Sequence, residues 1–89
     1  MTRYRIVPDA LSAALSDGAV LLHLYTKRYF SLNETGSRIW SLLEQQATDE
    51  EIVDTLVREY DVEKPDAARA VSQLLDDLVA ERLIEPVSV

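Results

Sequence analysis

The segment that most restricts the fold of this chain is Tyr29–Trp40, with the sequence YFSLNETGSRIW. It begins with apolar and aromatic residues that are typical of a strand, and it runs into apolar residues at helical spacing. Asn33 lies between the two patterns and is a good helix N-cap. Gly36 follows it and is one of only two glycines in the chain. This abrupt switch predicts a strand that ends at Leu32 and a helix over about residues 34–46.

The residues before this segment predict two more strands and the turns between them. Leu11–Leu15 alternates in the manner of a half-buried strand, and Asp17-Gly18 is a strong hairpin signal. Ala19–Tyr25 is almost entirely apolar and is expected to lie mid-sheet. Thr26-Lys27 makes the second turn, after which Arg28–Leu32 returns as the third strand. The pattern predicts a three-stranded antiparallel meander.

Helical patterns fill the rest of the chain. Thr48 and Glu51 form a capping box before a helix whose apolar residues recur at helical spacing up to Tyr60. A third helix is expected to begin near Pro65, a residue favoured in the first turn, and to run to about residue 82. Near the N-terminus, Tyr4–Val7 is expected to add an extended segment. The fold class predicted is therefore α+β, a winged-helix-like domain with a three-stranded antiparallel sheet followed by three helices.

The third helix has an unusually wide apolar stripe. Val71, Leu74 and Leu78 lie at its centre at about 100° per residue, and the stripe covers about 180°, more than a simple amphipathic face needs. One explanation is a helix wedged between two neighbours. The other is that one flank, formed by Ala70 and Leu74 and continued by Asp77 and Glu81, lines a groove for a partner.

Composition sets further limits on function. The chain has 89 residues, of which 47% are apolar, and this suits one compact domain over residues 1–89. The absence of cysteine excludes disulfides, a thiol nucleophile and thiolate metal sites. The chain contains no run of 18 apolar residues, the length that would suggest a membrane-spanning helix. Its N-terminal sequence also lacks the apolar region of a secretory signal. A soluble cytoplasmic protein is expected.

Charge is distributed unevenly along the chain. Residues 1–33 hold four basic and two acidic residues, whereas residues 34–89 hold five basic and fourteen acidic ones. Winged helices often read DNA with their third helix, which makes a winged-helix DNA-binding regulator an alternative. The third helix, however, carries mainly carboxylates, and duplex recognition depends on basic and amide side chains. The charge pattern therefore weighs against nucleic acid as a partner.

Residues able to carry catalysis are scarce. His23 is the only histidine and lies within an apolar strand, where a structural role is the usual one. No His, Asp or Glu cluster has metal-ligand spacing, and the two glycines are too far apart for a phosphate-binding loop. Ser37 precedes a helical run, as the modified serine of an acyl carrier does, but Gly-Ser-Arg replaces the Asp-Ser-Leu of carriers. We expect no enzyme activity, no metal and no cofactor.

The Tyr29–Trp40 segment resembles the PqqD family, whose members carry a Leu-Asn-x-Thr-Gly-x-x-Ile-Trp-like sequence after a strand. The resemblance continues through Leu42-Leu43, the helix of residues 48–60 and the Arg82-Leu83-Ile84 ending, and it covers most of residues 17–85. In its short, discrete form the chain is similar to stand-alone RiPP recognition elements, the leader-binding proteins of lasso-peptide clusters.

The resemblance implies a function and a site. Proteins of this family bind the leader segment of a ribosomally made precursor peptide as an extra strand on the third strand, packed against the third helix. They present the precursor to a separate maturation enzyme, which in lasso clusters is a cysteine protease working with a cyclase. A PqqD-like chaperone for a radical-enzyme pathway is the related alternative. The peptide-binding residues implied are Arg28, Tyr29, Phe30, Ser31, Leu32, Ala70, Val71, Leu74, Asp77, Leu78 and Glu81.

Within this scheme Val71 and Leu78 are expected at the floor of the groove, and Trp40 in the core. Family members often have an acidic residue where this chain has Ala70, and the difference favours a more apolar groove. Arg28 is expected either to discourage pairing between copies at the uncovered strand or to be an ordinary surface charge.

Overall fold

A computed structural model describes residues 2–87 of the chain as five strands and three helices. In chain order these are β1 (Arg3–Ile6), β2 (Ala10–Leu15), β3 (Gly18–His23), β4 (Tyr29–Asn33), α1 (Glu34–Glu44), α2 (Asp49–Glu59), α3 (Lys64–Ala80) and β5 (Ile84–Val87). No helix in this described range is long and apolar enough to cross a membrane.

The main sheet is antiparallel, with strand order β2-β3-β4, and the three helices follow it. This confirms the predicted α+β class. A second sheet joins the two ends of the described chain, because β1 pairs antiparallel with β5. The extended segment expected at residues 4–7 is the β1 strand. β5 was missed because its four residues are too few for a periodic pattern and include Pro86.

The helix starts match their sequence signals. The Asn33 side chain accepts a hydrogen bond from the Gly36 N–H at 2.8 Å, as expected of an N-cap. At α2, the Thr48 hydroxyl accepts from the Glu51 N–H at 3.2 Å, and the Glu51 carboxylate accepts from the Thr48 N–H at 2.8 Å. The capping box is therefore confirmed. Helix α3 has Pro65 in its first turn and begins one residue before it.

Several predicted boundaries are shifted. Leu15 pairs with Gly18, so the hairpin turn is Ser16-Asp17 rather than Asp17-Gly18. Lys27 has a φ of 63° in the second turn, and β4 begins after Arg28, at Tyr29. Left-handed residues, Gln46 at φ 64° and Arg82 at φ 61°, follow the ends of α1 and α3, which stop at residues 44 and 80 instead of about 46 and 82. Left-handed backbone cannot continue a right-handed helix, so both helices end earlier than their apolar patterns do.

One hydrophobic core holds the helices against the main sheet. Its buried side chains come from β3, β4, the three helices and the start of β5, and they include Trp40 at 4% exposure, as predicted. The prediction of a half-buried β2 is wrong, since Leu11 and Leu15 are 51% and 55% exposed. Helix α1 packs on β3 and β4. Strand β2 lies at the far edge of the sheet, beyond this cover, so its alternating residues have no core to face.

Both glycines lie against Leu32. A β-carbon at Gly18 would come within 2.0 Å of the Leu32 carbonyl oxygen, a distance that no side chain can tolerate. One at Gly36 would come within 3.2 Å of the Leu32 side chain. These close approaches let β3 and the first turn of α1 pack on the end of β4. The chain can therefore pass from strand to helix with α1 lying on the core face of the sheet.

Candidate peptide-binding cleft between β4 and α3

Strand β4 has one free edge. It pairs with β3 on one side, and no strand among residues 2–87 pairs with its other side. The His23 N–H donates to the Arg28 carbonyl at 3.0 Å, so the backbone of Arg28 faces β3. Successive residues of an antiparallel strand direct their backbone groups alternately to one neighbour and to the other side. By that alternation the backbone groups of Phe30 and Leu32 are directed to β3. Those of Tyr29 and Ser31 are directed to the free edge, where they can accept another strand.

A cleft of about 520 Å³ lies between this edge and helix α3. It brings together six of the residues predicted for the peptide site: Phe30, Ser31, Leu32, Ala70, Leu74 and Asp77. Leu32 is 6% exposed and belongs to the core, Leu74 is half-buried, and Ala70 is exposed. The cleft therefore has an apolar inner surface that solvent still reaches.

Two predicted floor residues are not in the cleft. Val71 is 1% exposed and Leu78 is fully buried, so both face the core and neither lines the cleft. The reason is that they occupy the middle of the α3 stripe, which packs into the core. Tyr29 is 71% exposed, and its side chain lies on the opposite face of the sheet from the core-facing Phe30 and Leu32.

The predicted residues Arg28 and Glu81 form an ion pair. The Arg28 Nε lies 2.8 Å from Glu81 Oε1, and its Nη2 lies 3.1 Å from Glu81 Oε2. The pair links the residue before β4 to the residue after α3. Of the two roles considered for Arg28, neither included this link, because residues 53 apart in sequence give no local sign of contact.

Five further residues line the cleft and were missed by sequence reasoning: Asn33, Thr35, Gly36, Ile39 and Gln73. The first three lie at the β4–α1 junction and Ile39 lies one turn further along α1, all within the distinctive segment Tyr29–Trp40. Gln73 lies three residues after Ala70 and four before Asp77, so helical spacing alone could have added it. The apolar pattern of α3 did not identify Gln73, because its side chain is polar.

The cleft carries few ionisable side chains. Asp77 is its one acidic lining residue. No group of three or more His, Cys, Asp or Glu side chains within residues 2–87 is arranged to hold a metal ion. His23 is 7% exposed, and its Nδ1 accepts hydrogen bonds from the Tyr25 and Thr26 N–H groups at 3.2 and 3.3 Å. Its role is to hold the turn between β3 and β4.

Comparison with known families decides the relationship. The family model described as Coenzyme PQQ synthesis protein D (PqqD) matches residues 18–84, which include the main part of the sheet and all three helices. The chain belongs to the PqqD family. The segment that suggested the resemblance, Tyr29–Trp40, lies within the match, and it forms one wall of the cleft.

Two solved structures are similar to this PqqD-family protein over almost its whole length. One is TbiB1 in complex with the TbiA(beta) leader peptide, at 42% sequence identity and a TM-score of 0.88, covering 96% of this chain and 99% of the other. The second is lasso peptide synthetase B1 complexed with the leader peptide, at 28% identity and a TM-score of 0.80, covering 96% and 98%. No curated protein matches the chain.

Proposed function

We propose that this PqqD-family protein is a non-catalytic adaptor that binds the leader segment of a ribosomally synthesised precursor peptide and delivers it to a maturation enzyme. The observation that carries the proposal is the free edge of β4 facing an apolar cleft bounded by α3. An extended peptide needs both features: a row of unpaired backbone groups, and pockets for alternate side chains. Both lie side by side in this protein.

The backbone groups of Tyr29 and Ser31 define how the leader would pair. An added strand would exchange hydrogen bonds with them, while every second leader side chain would point into the cleft. There it would meet Phe30, Leu74 and the exposed part of Ala70. We expect those leader side chains to be apolar, and we expect the acidic Asp77 to disfavour a leader carboxylate at its end of the cleft.

The comparisons support a leader peptide as the ligand. Both similar solved structures are complexes with leader peptides, and one is 42% identical to this chain. They also favour a lasso-peptide pathway. The client enzymes there would be a cyclase and a cysteine protease that removes the leader. A cytoplasmic location and one domain spanning residues 1–89 are part of this proposal.

Two alternatives are weaker. A chaperone for a radical enzyme of quinone-cofactor synthesis accords with the description of the family, whereas the solved relatives point to lasso peptides. A DNA-binding regulator conflicts with α3, in which Asp66, Asp76 and Asp77 outnumber the basic residues Lys64 and Arg69. A gel shift with random and promoter DNA at physiological salt is expected to show no complex.

Titration calorimetry tests the proposal directly. The titrant is the cognate leader, taken from a short precursor peptide sought among the reading frames that neighbour the gene, and the TbiA(beta) leader provides a second defined probe. We expect a one-to-one complex with the cognate leader in the absence of any cofactor. If the cognate leader shows no binding at high micromolar concentration, the proposed function is wrong.

A further inference from the structure

A second cavity lies on the other side of helix α3, between α3, α2 and β1. Its volume is about 260 Å³, below the roughly 300 Å³ at which pockets for drug-sized ligands begin, so it has room for one or two side chains. Its floor is apolar and is formed mainly by Val53, Val71 and Leu75. These three are buried at 8%, 1% and 2% exposure, so the floor is a fixed part of the core.

The cavity and the cleft use opposite faces of α3. The cleft residues Ala70, Leu74 and Asp77 and the cavity residues Val71 and Leu75 all lie on this one helix. With Gln73 added to the cleft and Lys64, Ala68, Ser72 and Asp76 added to the cavity, the centres of the two complete sets lie roughly 170° apart around the helix axis at 3.6 residues per turn. A helix is about 10 Å across with its side chains. Ligands in the cleft and in the cavity are therefore separated by the body of the helix and can be bound together.

The rim of the cavity is strongly acidic. Asp49, Glu50, Asp54 and Asp76 line it with one cation, Lys64. Lys64 lies 3.7 Å from Asp54, and both side chains are more than half exposed, so this contact neutralises little of the charge. The side-chain carboxylates of Glu50 and Asp76 accept no hydrogen bond and form no ion pair within the described part of the chain, although the Glu50 backbone N–H donates to Asp49. Two carboxylates at the mouth of an apolar cavity are thus free for a partner.

Tyr4 shows that this charge acts on the cavity. Its side chain lines the cavity wall on the β1 side. Burial raises the pKa of the Tyr4 hydroxyl above its ordinary value, and the carboxylates of Asp49 and Asp76 raise the pKa further. A hydroxyl that feels both carboxylates lies within the same negative field that an incoming ligand would meet. That field favours cations and disfavours anions.

We propose that this cavity is a second docking site, which takes a basic segment of a partner protein anchored by one apolar side chain. The apolar side chain fills the space above Val53 and Leu75, and flanking Lys or Arg residues meet Glu50 and Asp76 at the rim. Charge complementarity identifies the occupant, because an apolar floor alone would accept many side chains, whereas a rim with four carboxylates and one ammonium group rejects acidic segments. The site goes beyond leader binding and leaves the cleft open.

Three blocked tripeptides serve as probes in an NMR titration of the ¹⁵N-labelled protein: acetyl-Arg-Leu-Arg-amide, acetyl-Glu-Leu-Glu-amide and acetyl-Arg-Gly-Arg-amide. We expect saturable amide shifts with the first probe. They should be confined to the first turn of α2 and to the part of α3 around Ser72 and Asp76. The glutamate probe should cause none, and the glycine probe should bind more weakly because it leaves the floor empty. Equal, diffuse shifts with both arginine probes, or no shifts at all, would overturn the proposal.

Variants separate the cavity from general surface charge. The double change Glu50→Gln with Asp76→Asn should lower the affinity for acetyl-Arg-Leu-Arg-amide by about threefold or more. The matched control is Glu44→Gln with Asp61→Asn, which removes two exposed charges outside both sites and should leave binding unchanged. Ser72→Leu keeps every charge and obstructs the cavity mouth, so it should abolish the localised shifts. Unaltered probe binding in Ser72→Leu would place the site elsewhere.

The titration does not depend on the proposed function. It is carried out on the free protein and then repeated with the cleft saturated by the cognate leader, where the same shifts are expected. If the leader fails to bind but the probe shifts persist, the leader proposal fails and the second site stands. If the leader binds and the probe does not, only the second site is lost. Loss of probe shifts on adding leader would contradict independent occupation.

Discussion

Arg28 and Glu81 form a two-pronged ion pair between the start of β4 and the end of α3, at 2.8 and 3.1 Å. Neither residue lines the cleft, whereas Asn33 and Thr35 line it at the β4–α1 junction. The pair therefore connects the two elements that form the walls of the cleft, outside the cleft itself.

The first prediction concerns the stability of that pair. A double-mutant cycle with Arg28→Ala and Glu81→Ala should give a coupling free energy of unfolding of about 1 kcal/mol or less, because the Arg28 side chain is 69% exposed. Chemical denaturation at low and high salt measures it, and the coupling should fall as salt rises. A salt-independent coupling of about 2 kcal/mol or more would show that the pair is shielded from solvent, contrary to this structure.

The second prediction tests the cleft wall. Leu74→Asp should weaken cognate leader binding at least about tenfold, because a carboxylate placed under an apolar leader side chain loses water without gaining a partner. The fold should survive, since Leu74 is only half-buried. Calorimetry and thermal melting measure the two effects.

Two further variants control for the new charge. Val62→Asp puts the same group at a 43% exposed position outside the cleft and should leave leader binding intact. Leu78→Asp, at a fully buried position, should unfold the protein instead. If Leu74→Asp keeps both its melting temperature and its affinity, the leader lies elsewhere, and the opposite flank of α3 at Leu75 and Val79 becomes the alternative.

The third prediction uses proline to separate the two sides of β4. Ser31→Pro removes an N–H that points to the free edge, so it should weaken leader binding while the β3–β4 ladder persists. Leu32→Pro removes an N–H directed to β3 and should lower the melting temperature more strongly. Melting curves and leader titrations of both variants decide the outcome. A reversed order of melting temperatures would show that the ladder alternates in the opposite sense.

Local signals predicted the elements, whereas the site required three-dimensional contacts. The Asn33 cap, the Thr48–Glu51 capping box and the meander are fixed by neighbours in sequence, and each is found in the structure. The β1–β5 sheet joins residues about 80 apart and leaves no periodic trace. The sequence of α3 showed that both flanks of its stripe were apolar. Which flank borders the cavity and which borders the cleft depends on contacts distant in sequence, because α2 packs near one flank and the free β4 edge lies near the other.

The fourth prediction concerns acid stability. Hydrogen bonds from the Thr48 backbone N–H, and then from its hydroxyl, lower the pKa of the Glu51 carboxyl below its ordinary value of 4.5. A lowered pKa in the folded state means that the stabilisation is present above pH 4.5 and is lost as the pH falls through the lowered value. Glu51→Gln cannot titrate, so its melting temperature should fall less steeply with acid than that of the wild type.

The neighbouring change Glu50→Gln is the control for that experiment. Glu50 lies in the same turn of α2 but outside the capping box, and its side chain is exposed. Its melting temperature should follow the wild-type dependence on pH. If the Glu51→Gln curve also follows the wild type, the capping carboxylate makes no contribution to acid sensitivity and the prediction fails.

The fifth prediction returns to the two glycines against Leu32. Gly18→Ala should destabilise the fold by about 1–3 kcal/mol, because its β-carbon would meet a backbone oxygen at 2.0 Å and backbone must shift to relieve the clash. Gly36→Ala meets the Leu32 side chain at 3.2 Å, which can yield slightly, and alanine gains up to about 1 kcal/mol of helix propensity over glycine. Its net effect should therefore be much smaller. Chemical denaturation of both variants measures the difference, and equal losses of stability would mean that α1 cannot shift on β4.

Leader titrations complete the comparison of the two glycine variants. Gly36 lines the cleft and Gly18 does not, so only Gly36→Ala should alter leader affinity in variants that remain folded.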